Sequence, residues 1–336
     1  ELVPFRAAIA AGVDVVMSAH IALPGIDRGQ LRPGTVAPNI LTGILRDSLG
    51  FRGLIVTDAL NMAGVADAYG AEAGVRAFLA GADLLLQPAD PRAAIEAMNR
   101  AVDRGEISME RLDTSVRRVL ELKRRVGLFT RRTVPLDSIP AVVGNATFQA
   151  DAAAMATRSI VLVKDSAGVV YGLPRARGPV TLVTYGEEEN RAVGTVLAAE
   201  LRALGFPVTL ARLWPASGGA SYDSASAAVR RNQTVIFATA DRPVAGRGSV
   251  GLPGDLLGLI ARTARERPTI LVSLGNPYLI GDLPEVGSYL IAWRSNAVTE
   301  RAVARALAGK ASITGRLPIG LPPTYRRGWG LTRRVP

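Results

Sequence analysis

Two polar side chains stand at positions where catalytic groups gather in parallel α/β proteins. Asp58 ends the apolar stretch of GLIVTDAL, and His20 ends the apolar stretch of VVMSAHI. The carboxyl ends of parallel strands meet at one edge of a sheet, and that edge carries the active sites of such folds. Aspartate also favours helix N-caps and loop hydrogen bonds. The position alone therefore leaves a catalytic and a structural role of Asp58 open.

The single histidine raises the same question. If the two apolar stretches form neighbouring strands, His20 and Asp58 face one cavity. A lone histidine at a strand end more often anchors a loop through backbone hydrogen bonds, and the position by itself favours that interpretation. A Ser-His-Asp triad that includes Ser18 is poorly supported, because the chain contains no G-x-S-x-G segment.

The composition excludes much other chemistry. The 336 residues include one histidine and no cysteine. This excludes disulfides, thiolate catalysis, cysteine zinc sites and metal sites with two histidines. Neither a Walker motif nor H-E-x-x-H occurs. We expect no metal and no cofactor, and a chemistry of carboxylates, hydroxyls, lysine and arginine.

Other motifs favour structural interpretations. Gly246–Gly251 matches G-x-G-x-x-G, but the match begins well after the preceding predicted strand, and no acid follows the next strand to hold a ribose. Glu187–Glu189 follows a strand, where such a run is more often the solvated first turn of a helix. Asp83 begins a strand and therefore faces the opposite edge of the sheet. Aromatic residues that are able to stack on a ligand are more often core residues; they are Tyr278, Trp293 and Trp329.

The charge distribution does not indicate a nucleic-acid partner. Residues 1–130 carry no net charge, so the formal charge of +11 falls on residues 131–336. Nearly all cations are arginines, and they are scattered without a stripe of aromatic residues for stacking. No apolar run approaches the roughly 20 residues that span a bilayer. We therefore expect neither nucleic acid nor a membrane span.

The elements that must position these residues alternate between strands and helices. In the first 130 residues, continuous apolar strands predict a parallel sheet covered by helices. Three strands do not complete an eight-stranded barrel, which takes about 250 residues. This part is either a small open sheet or the end of a truncated barrel. The predicted strands are Val13–Ile21, Gly53–Leu60 and Ala82–Gln87, and the predicted helices are Leu2–Ala11, Ile40–Leu49, Ala71–Ala80, Pro91–Asp103 and Met109–Val126.

A second αβ series follows an irregular segment. Phe129–Gly144 loses periodicity and contains two prolines, which indicates a linker or an exposed crossover. The series after it is typical of an open doubly wound sheet, and hence of a second domain. The predicted strands are Ile160–Lys164, Val180–Thr184, Val208–Leu213, Thr234–Thr239, Ile270–Leu274 and Tyr289–Trp293, and the predicted helices are Arg191–Leu204, Ser224–Arg231, Gly254–Arg265 and Val298–Ala308.

Three segments together resemble glycoside hydrolase family 3, and most of all its bacterial beta-N-acetylglucosaminidase branch. They read VDVVMSAHIALPGID, LTGILRDSLGFRGLIVTDALNMAGV and AGADLLLQPAD. In the second half, SLGNPYLI and ITGRLPIGLPPTYRRGWGL resemble the closing motifs of the family's C-terminal αβ domain. The resemblance covers essentially the whole chain.

The resemblance implies an α/β fold in two parts. Residues 1–128 are expected to be the C-terminal portion of a (β/α)8 TIM-type barrel, with the three predicted strands as its last three. Residues 129–144 are expected to be a linker. Residues 145–336 are expected to form a doubly wound αβα sandwich domain.

The resemblance also implies roles for particular residues. Asp58 matches the family's catalytic nucleophile. The run TDAL followed by Met62 fits the N-acetylglucosaminidase branch better than the glucosidase branch. His20 matches a position that lines the sugar pocket, so His20 and Met62 are expected to bind substrate.

The implied reaction is the hydrolysis of terminal beta-linked N-acetylglucosamine with retention, by double displacement. One carboxylate attacks the anomeric carbon and an acid protonates the leaving oxygen. In the branch that the chain resembles, that acid is an Asp-His pair in a K-H-F-P-G-H-G-type motif, which this sequence lacks. We expect the acid upstream of Glu1, the chain to be the C-terminal portion of a longer enzyme, and little activity from the chain alone.

Two alternatives stay open. A beta-glucosidase or xylosidase of the same family often takes its acid from the second domain, where Glu187–Glu189 is the candidate. A non-catalytic carbohydrate- or nucleotide-binding αβ module accounts for the incomplete site and for the glycine loop at Gly246. The exact sugar, the linkage, the compartment and the oligomeric state do not follow from the sequence.

Overall fold

A computed structural model describes residues 1–166, 168–187, 190, 192–241 and 251–335. The chain divides into two compact units, Glu1–Leu136 and Asp137–Pro336. The division falls within the segment of the sequence that loses periodicity. That segment contains a 3-10 turn, Leu136–Ser138, and a short helix, α6 (Ile139–Val142).

The first unit is built around two short parallel strands. β1 (Val15–Met17) pairs with β2 (Leu54–Val56) in parallel, with Val15 opposite Leu54. The apolar faces of the helices meet β2 in a buried cluster that includes Leu41, Leu45 and Ile55. The helices of this unit are α1 (Val3–Ala10), a π-wound helix (Asn39–Ser48), α2 (Ala63–Tyr69), α3 (Ala73–Ala80), α4 (Pro91–Asp103) and α5 (Met109–Arg125).

Side-chain caps fix the beginning of two of these helices. The Asp90 carboxylate accepts hydrogen bonds from the amides of Arg92 and Ala93 before α4, and proline occupies the first position of that helix. Ser108 Oγ accepts from the Arg111 amide at 3.2 Å before α5. Such caps satisfy amides that have no partner within the helix, and both helices begin where the sequence predicts.

β1 is shorter and more exposed than the sequence predicts. The expected buried strand Val13–Ile21 reduces to Val15–Met17, and the Met17 side chain is 53% exposed. An apolar strand is buried only when both of its edges and both of its faces are covered. Among the described residues, β1 pairs with β2 alone.

The third predicted strand, Ala82–Gln87, is also not formed as a ladder. A single bridge joins Leu84 to Val56. The Asp83 carboxylate accepts the Ile55 amide at 3.0 Å, so a side chain takes a position that a backbone carbonyl occupies in a regular ladder. The segment still runs beside β2, because the amides of Thr57 and Leu60 donate to the carbonyls of Leu84 and Leu86.

In the described part of the second unit, six strands form one sheet in the order β3-β8-β7-β6-β4-β5. Every pairing is parallel except that of the edge strand β3 with β8. The strands are β3 (Val161–Asp165), β4 (Val180–Gly186), β5 (Val208–Leu213), β6 (Thr234–Ala240), β7 (Thr269–Ser273) and β8 (Ser288–Ile291), and the helices are α7 (Ala146–Ser159), α8 (Val169–Ala176), α9 (Thr195–Ala203), α10 (Gly219–Arg231), α11 (Gly254–Glu266) and α12 (Ala297–Leu307).

Alternate residues of the same strands build two apolar layers. Leu182 and Ile236 belong to a buried cluster with residues of α8, α9 and α12. Val183 and Phe237 belong to a second cluster with residues of α10 and α11. Helices therefore cover both faces of the sheet, which explains why its central strands are continuous apolar runs.

The direction of winding reverses between β4 and β6. The chain passes from β4 outward to β5, returns to β6 on the other side of β4, and then continues to β7 and β8. In open α/β sheets, ligands bind outside the carboxyl ends of the strands at such a reversal. Glu187 follows β4 and Asp241 follows β6 at this place.

Among the described residues of the second unit, three helices have no counterpart among the predicted elements: α6, α7 and α8. None of the described side chains of α7 is buried, so its sequence carries no apolar stripe that would reveal a helix. α8 contains Pro174, which is typical of a helix end rather than of a helix interior.

In the described ranges no helix combines the length and the apolar character that crossing a bilayer requires.

Candidate active site

The loop that carries Asp58 is held on one side by the third segment of the first unit. Thr57 is fully buried, and its Oγ1 accepts the Leu86 amide at 2.9 Å. The Leu60 amide donates to the Leu86 carbonyl, also at 2.9 Å. These bonds bracket Asp58, so the residue has little freedom to leave the carboxyl end of β2.

The Asp58 carboxylate is partly exposed. Its Oδ1 accepts the Ala59 amide at 2.8 Å, and within the described residues no group donates to Oδ2. The Asp58 amide points toward Ser18 Oγ at 3.4 Å. One oxygen of the carboxylate is thus oriented by the backbone, while the other is available to a ligand.

His20 lies across the β1–β2 pair from Asp58, as neighbouring parallel strands require. Its Nε2 donates to the Ala59 carbonyl at 2.9 Å, and its Nδ1 lies 2.8 Å from Thr35 Oγ1. Thr35 Oγ1 in turn lies 2.8 Å from Ser18 Oγ. The structure therefore brings His20 to the Asp58 loop, and both ring nitrogens are engaged in hydrogen bonds there.

Met62 closes the same loop. Its amide donates to the Ala59 carbonyl at 3.1 Å, and its carbonyl accepts the amides of Val65 and Ala66 in the first turn of α2. The Met62 side chain is 47% exposed. Ala59 thus anchors all three residues expected at the site: its carbonyl accepts from His20 and Met62, and its amide donates to the Asp58 carboxylate.

No sequence pattern points to Thr35, because it lies inside the long loop rich in proline and glycine. That loop is anchored by Asp27, a buried carboxylate that accepts hydrogen bonds from Arg32 Nε at 2.5 Å and from Asn39 Nδ2 at 3.1 Å. The Arg32 hydrogen bond, which outweighs burial, holds the pKa of Asp27 below its ordinary value. The loop is therefore cross-linked by charge in addition to the packing of Val36 in the buried cluster of the first unit.

Asp83 is the centre of a buried ion cluster away from this loop. Its carboxylate accepts hydrogen bonds from Arg46 at 2.5 Å, from Arg118 at 2.9 Å and from Ser115 at 2.6 Å. Burial alone raises the pKa of Asp83, but the hydrogen bonds and the charge of Arg46 outweigh it, so the pKa lies below its ordinary value. The contacts tie β2 to α5 and agree with a structural role.

In the second unit, a buried carboxylate stands at the reversal between β4 and β6. Asp241 is 3% exposed, and among the described residues neither oxygen of its carboxylate has a hydrogen-bond partner. Burial, which outweighs the opposing effect of Asn276, raises the pKa of Asp241, and the negative charge of Glu187 raises it further. Sequence reasoning missed Asp241, because nothing in its local pattern signals that this acid is buried.

Two sequence motifs of the second unit, the Glu187–Glu189 run and the glycine motif at Gly246–Gly251, lie only partly within the described residues. Glu187 is buried, whereas Glu188 and Glu189 lie outside the described residues, as does the stretch 246–250 of the glycine motif. The amino end of α9, where a dinucleotide phosphate would bind in this type of fold, is filled by Glu300. The Glu300 carboxylate accepts the amides of Gly194, Val196 and Leu197.

The three aromatic residues do not form a common platform. Trp293 Nε1 donates to the Ser159 carbonyl and Trp329 Nε1 to the Val163 carbonyl, so both indoles are tied to the backbone. Tyr278 is half exposed. In the described part of the chain, no group of three or more histidine, aspartate or glutamate side chains is placed to share a metal ion.

Comparison with known proteins places this geometry in a family. Residues 1–122 match the family described as Glycosyl hydrolase family 3 N terminal domain. Residues 1–122 thus belong to the N-terminal domain of glycosyl hydrolase family 3. Relatives of the chain include Beta-N-acetylglucosaminidase/beta-glucosidase of Cellulomonas fimi, which is 31% identical over 94% of this chain and 59% of the relative.

Other members of family 3 agree in sequence and fold. Beta-hexosaminidase A of Pseudoalteromonas piscicida is 30% identical over 49% of this chain and 30% of its own length. The family 3 beta-N-acetylglucosaminidase of Paenibacillus sp. str. FPU-7 superimposes with a TM-score of 0.77 at 28% identity, covering 93% of this chain and 59% of that structure. Beta-glucoside phosphorylase BglX gives a TM-score of 0.74 at 25% identity, covering 91% and 57%. The chain thus has an α/β fold that matches family 3 structures and spans about 59% of the length of the Cellulomonas fimi relative.

Proposed function

We propose that this chain carries the nucleophile of a retaining glycosidase that removes terminal beta-linked N-acetylglucosamine. The observation that carries the proposal is the Asp58 carboxylate at the carboxyl end of β2, with one oxygen held by the Ala59 amide. A retaining glycosidase needs a carboxylate at such a position to attack the anomeric carbon. The names of the Cellulomonas fimi and Paenibacillus relatives support the amino sugar.

In the proposed reaction, an Asp58 oxygen forms a bond to the anomeric carbon while the bond from that carbon to the leaving oxygen breaks. A general acid gives the leaving oxygen its proton, and water then releases the sugar from the glycosyl-enzyme. The acid is proposed to come from the Asp-His motif of the branch, which this sequence does not contain. Met62, half exposed beside Asp58, is proposed to contact the sugar. The ring edge of His20 is proposed to line the same pocket.

The fold assignment is proposed on the same basis. Residues 1–128 form the last part of a barrel, residues 129–144 a linker, and residues 145–336 an αβα sandwich. Two parallel strands with a third segment beside them, each followed by helices, support the barrel. The exposed apolar side chains of β1 support it further, because a barrel wall covers a strand on both edges.

Three other functions compete with this one. A beta-glucosidase is supported by the second half of the Cellulomonas fimi name, although in this chain Glu187, a candidate acid, is buried. A nucleotide-binding module is disfavoured, because Glu300 occupies the amino end of α9. A phosphorylase is supported by the likeness to BglX and differs only in the acceptor of the glycosyl group.

The test uses the protein encoded by the complete reading frame. Turnover of an aryl beta-N-acetylglucosaminide and of an aryl beta-glucoside is measured with and without inorganic phosphate. We expect preference for the amino sugar and release in water; preference for the glucoside or a requirement for phosphate would contradict the corresponding part of the proposal.

A second measurement assigns the nucleophile. A 5-fluoro-N-acetylglucosaminyl fluoride should label the peptide that contains Asp58, and Asp58→Asn should abolish the label. The matched control is Asp47→Asn, which alters an exposed aspartate of the same unit. If Asp58→Asn leaves labelling intact, Asp58 is not the nucleophile.

A further inference from the structure

We infer that Ser18, Thr35 and His20 form a directed chain of hydrogen bonds that aims the Asp58 carboxylate, with His20 as a positioning residue rather than a sugar ligand. The inference rests on the proposed role of Asp58. Its basis is a continuous path from the Asp58 amide through Ser18 Oγ, Thr35 Oγ1 and the His20 ring to the Ala59 carbonyl.

The direction of every hydrogen bond in the chain follows from its two ends. The Ala59 carbonyl only accepts, so His20 Nε2 carries the proton, and in the neutral ring Nδ1 is then an acceptor. Thr35 therefore donates to Nδ1 and accepts from the Ser18 hydroxyl. Ser18 Oγ is left with a lone pair for the Asp58 amide. Each hydroxyl donates once and accepts once.

The two ends of the chain enclose the group that orients the carboxylate. The Asp58 amide and the Ala59 carbonyl flank the Ala59 N–H, which donates to Asp58 Oδ1 at 2.8 Å. Fixing both flanking groups fixes the direction of this N–H and, through it, the plane of the carboxylate. The second oxygen is then presented to the anomeric carbon without any hydrogen bond between His20 and the sugar.

Thr35 is preorganised to hold this arrangement. It is fully buried in the 3-10 turn Gly34–Val36, and the Gly34 amide donates to the Ile21 carbonyl at 2.9 Å. A Cβ at Gly34 would lie 3.3 Å from the carbonyl oxygens of Ala19 and Ile21, so the turn packs closely against the segment that carries His20. A hydroxyl that is held in this way keeps its geometry before substrate arrives.

A positioning chain and a sugar ligand predict different kinetics. Loss of positioning lowers the rate of attack and leaves ground-state binding unchanged, whereas loss of a ligand weakens binding. Misplacement of a reacting group by about 1 Å costs up to roughly 100-fold in rate. Labelling by the fluoride is a suitable probe, because fluoride leaves with the electron pair of the C–F bond and needs no general acid.

The experiment uses the enzyme from the complete reading frame and the variants Thr35→Val, His20→Gln and His20→Asn. The glutamine side chain can place its NH2 donor near the position of Nε2, whereas the shorter asparagine places its amide group near the position of Nδ1 and does not reach the Ala59 carbonyl. We expect Thr35→Val and His20→Asn to slow labelling about 10- to 100-fold, with His20→Gln less affected. The inhibition constant of N-acetylglucosamine should change less than about twofold. The double variant of His20→Asn and Thr35→Val should be labelled little more slowly than either single variant, because both substitutions break the same chain of hydrogen bonds.

The matched control is Thr42→Val, which removes another threonine hydroxyl bonded to a backbone carbonyl, that of Ala80. Circular dichroism checks that each variant is folded; should Thr35→Val not fold, His20→Gln and His20→Asn carry the comparison. A tenfold weaker binding of N-acetylglucosamine with unchanged labelling in the His20 variants would make His20 a sugar ligand and overturn the inference. Unchanged labelling and unchanged binding in the folded variants would overturn it as well. Failure of the proposed function is distinguishable, since the label then appears on a peptide without Asp58.

Discussion

The carboxylate of Glu300 accepts a hydrogen bond of 3.0 Å from the amide of Gly194, which lies 106 residues earlier in the chain. Glu300 belongs to α12 and Gly194 immediately precedes α9, so a side chain of one helix closes the amino end of another. The same carboxylate accepts from Ser295 Oγ at 3.0 Å. An anion-binding site of the fold is thereby used for stability.

Glu300→Ala should destabilise the second unit. Its removal leaves buried amides at the start of α9 without a partner, and the loss of charge-assisted hydrogen bonds costs about 1.5–3 kcal/mol. Urea denaturation of the chain measures the change in the free energy of unfolding. The control is Glu266→Ala, an exposed glutamate of α11; equal effects of the two substitutions would contradict the prediction.

Asp83→Asn should destabilise the first unit at neutral pH. Breaking a buried ion pair by removing one partner costs about 3–5 kcal/mol, because here the guanidinium of Arg46 stays buried without its counter-charge. The pKa of Asp83 is lower in the folded protein. Its contribution to stability is therefore present above the unfolded pKa of about 3.9 and is lost as the pH falls through the folded value.

Denaturation midpoints between pH 3 and pH 7 test this pH dependence. The denaturation midpoint of Asp83→Asn should approach that of the original chain as the solution becomes acidic. Asp103→Asn, an exposed aspartate at the end of α4, serves as the control. A difference that stays constant down to the lowest pH would show that the charge of Asp83 is not what stabilises the cluster.

Asp241→Asn should stabilise the chain at neutral pH, in contrast to Asp83→Asn, which should destabilise it. The pKa of Asp241 is raised, so the folded protein loses stability as the pH rises from about 3.9 through the folded pKa. Asparagine has no charge to bury, and at pH 7 we expect it to stabilise the chain by about 1–3 kcal/mol. The gain should disappear in acid. The measurement is again the urea midpoint as a function of pH, with the exposed Asp223→Asn as control; a loss of stability at pH 7 would contradict the prediction.

Gly275→Ala should destabilise the second unit, because a Cβ at this position would lie 1.9 Å from the backbone oxygen of Asp241. Backbone cannot move aside as a flexible side chain can, and overpacking of this kind costs about 1–3 kcal/mol. Gly219→Ala is the control, since nothing lies within 4 Å of its added Cβ. The thermal midpoint of Gly275→Ala should therefore lie clearly below that of Gly219→Ala. Equal midpoints of the two variants would contradict the close approach at Gly275.

The short-range patterns of the sequence account for the parts of the fold that depend on local periodicity and caps. α4 matches its predicted bounds, and each of the six predicted strands of the second unit overlaps an observed one. α7 was missed, because none of its described side chains is buried and no periodicity marks it. The strand Ala82–Gln87 was predicted wrongly, because the Asp83 carboxylate replaces a ladder bond.

The sequence by itself determined that Asp58 and His20 come together if their two strands are neighbours, because the carboxyl ends of parallel strands meet at one edge of a sheet; the structure pairs the two strands. It did not determine what holds them. Thr35 and Glu300 act through partners in distant parts of the chain, and Asp241 has no hydrogen-bond partner for its carboxylate among the described residues; no spacing of residues encodes such contacts. Only the tertiary structure decides them, because the direction of a hydrogen bond and the burial of a charge depend on every element packed around the group.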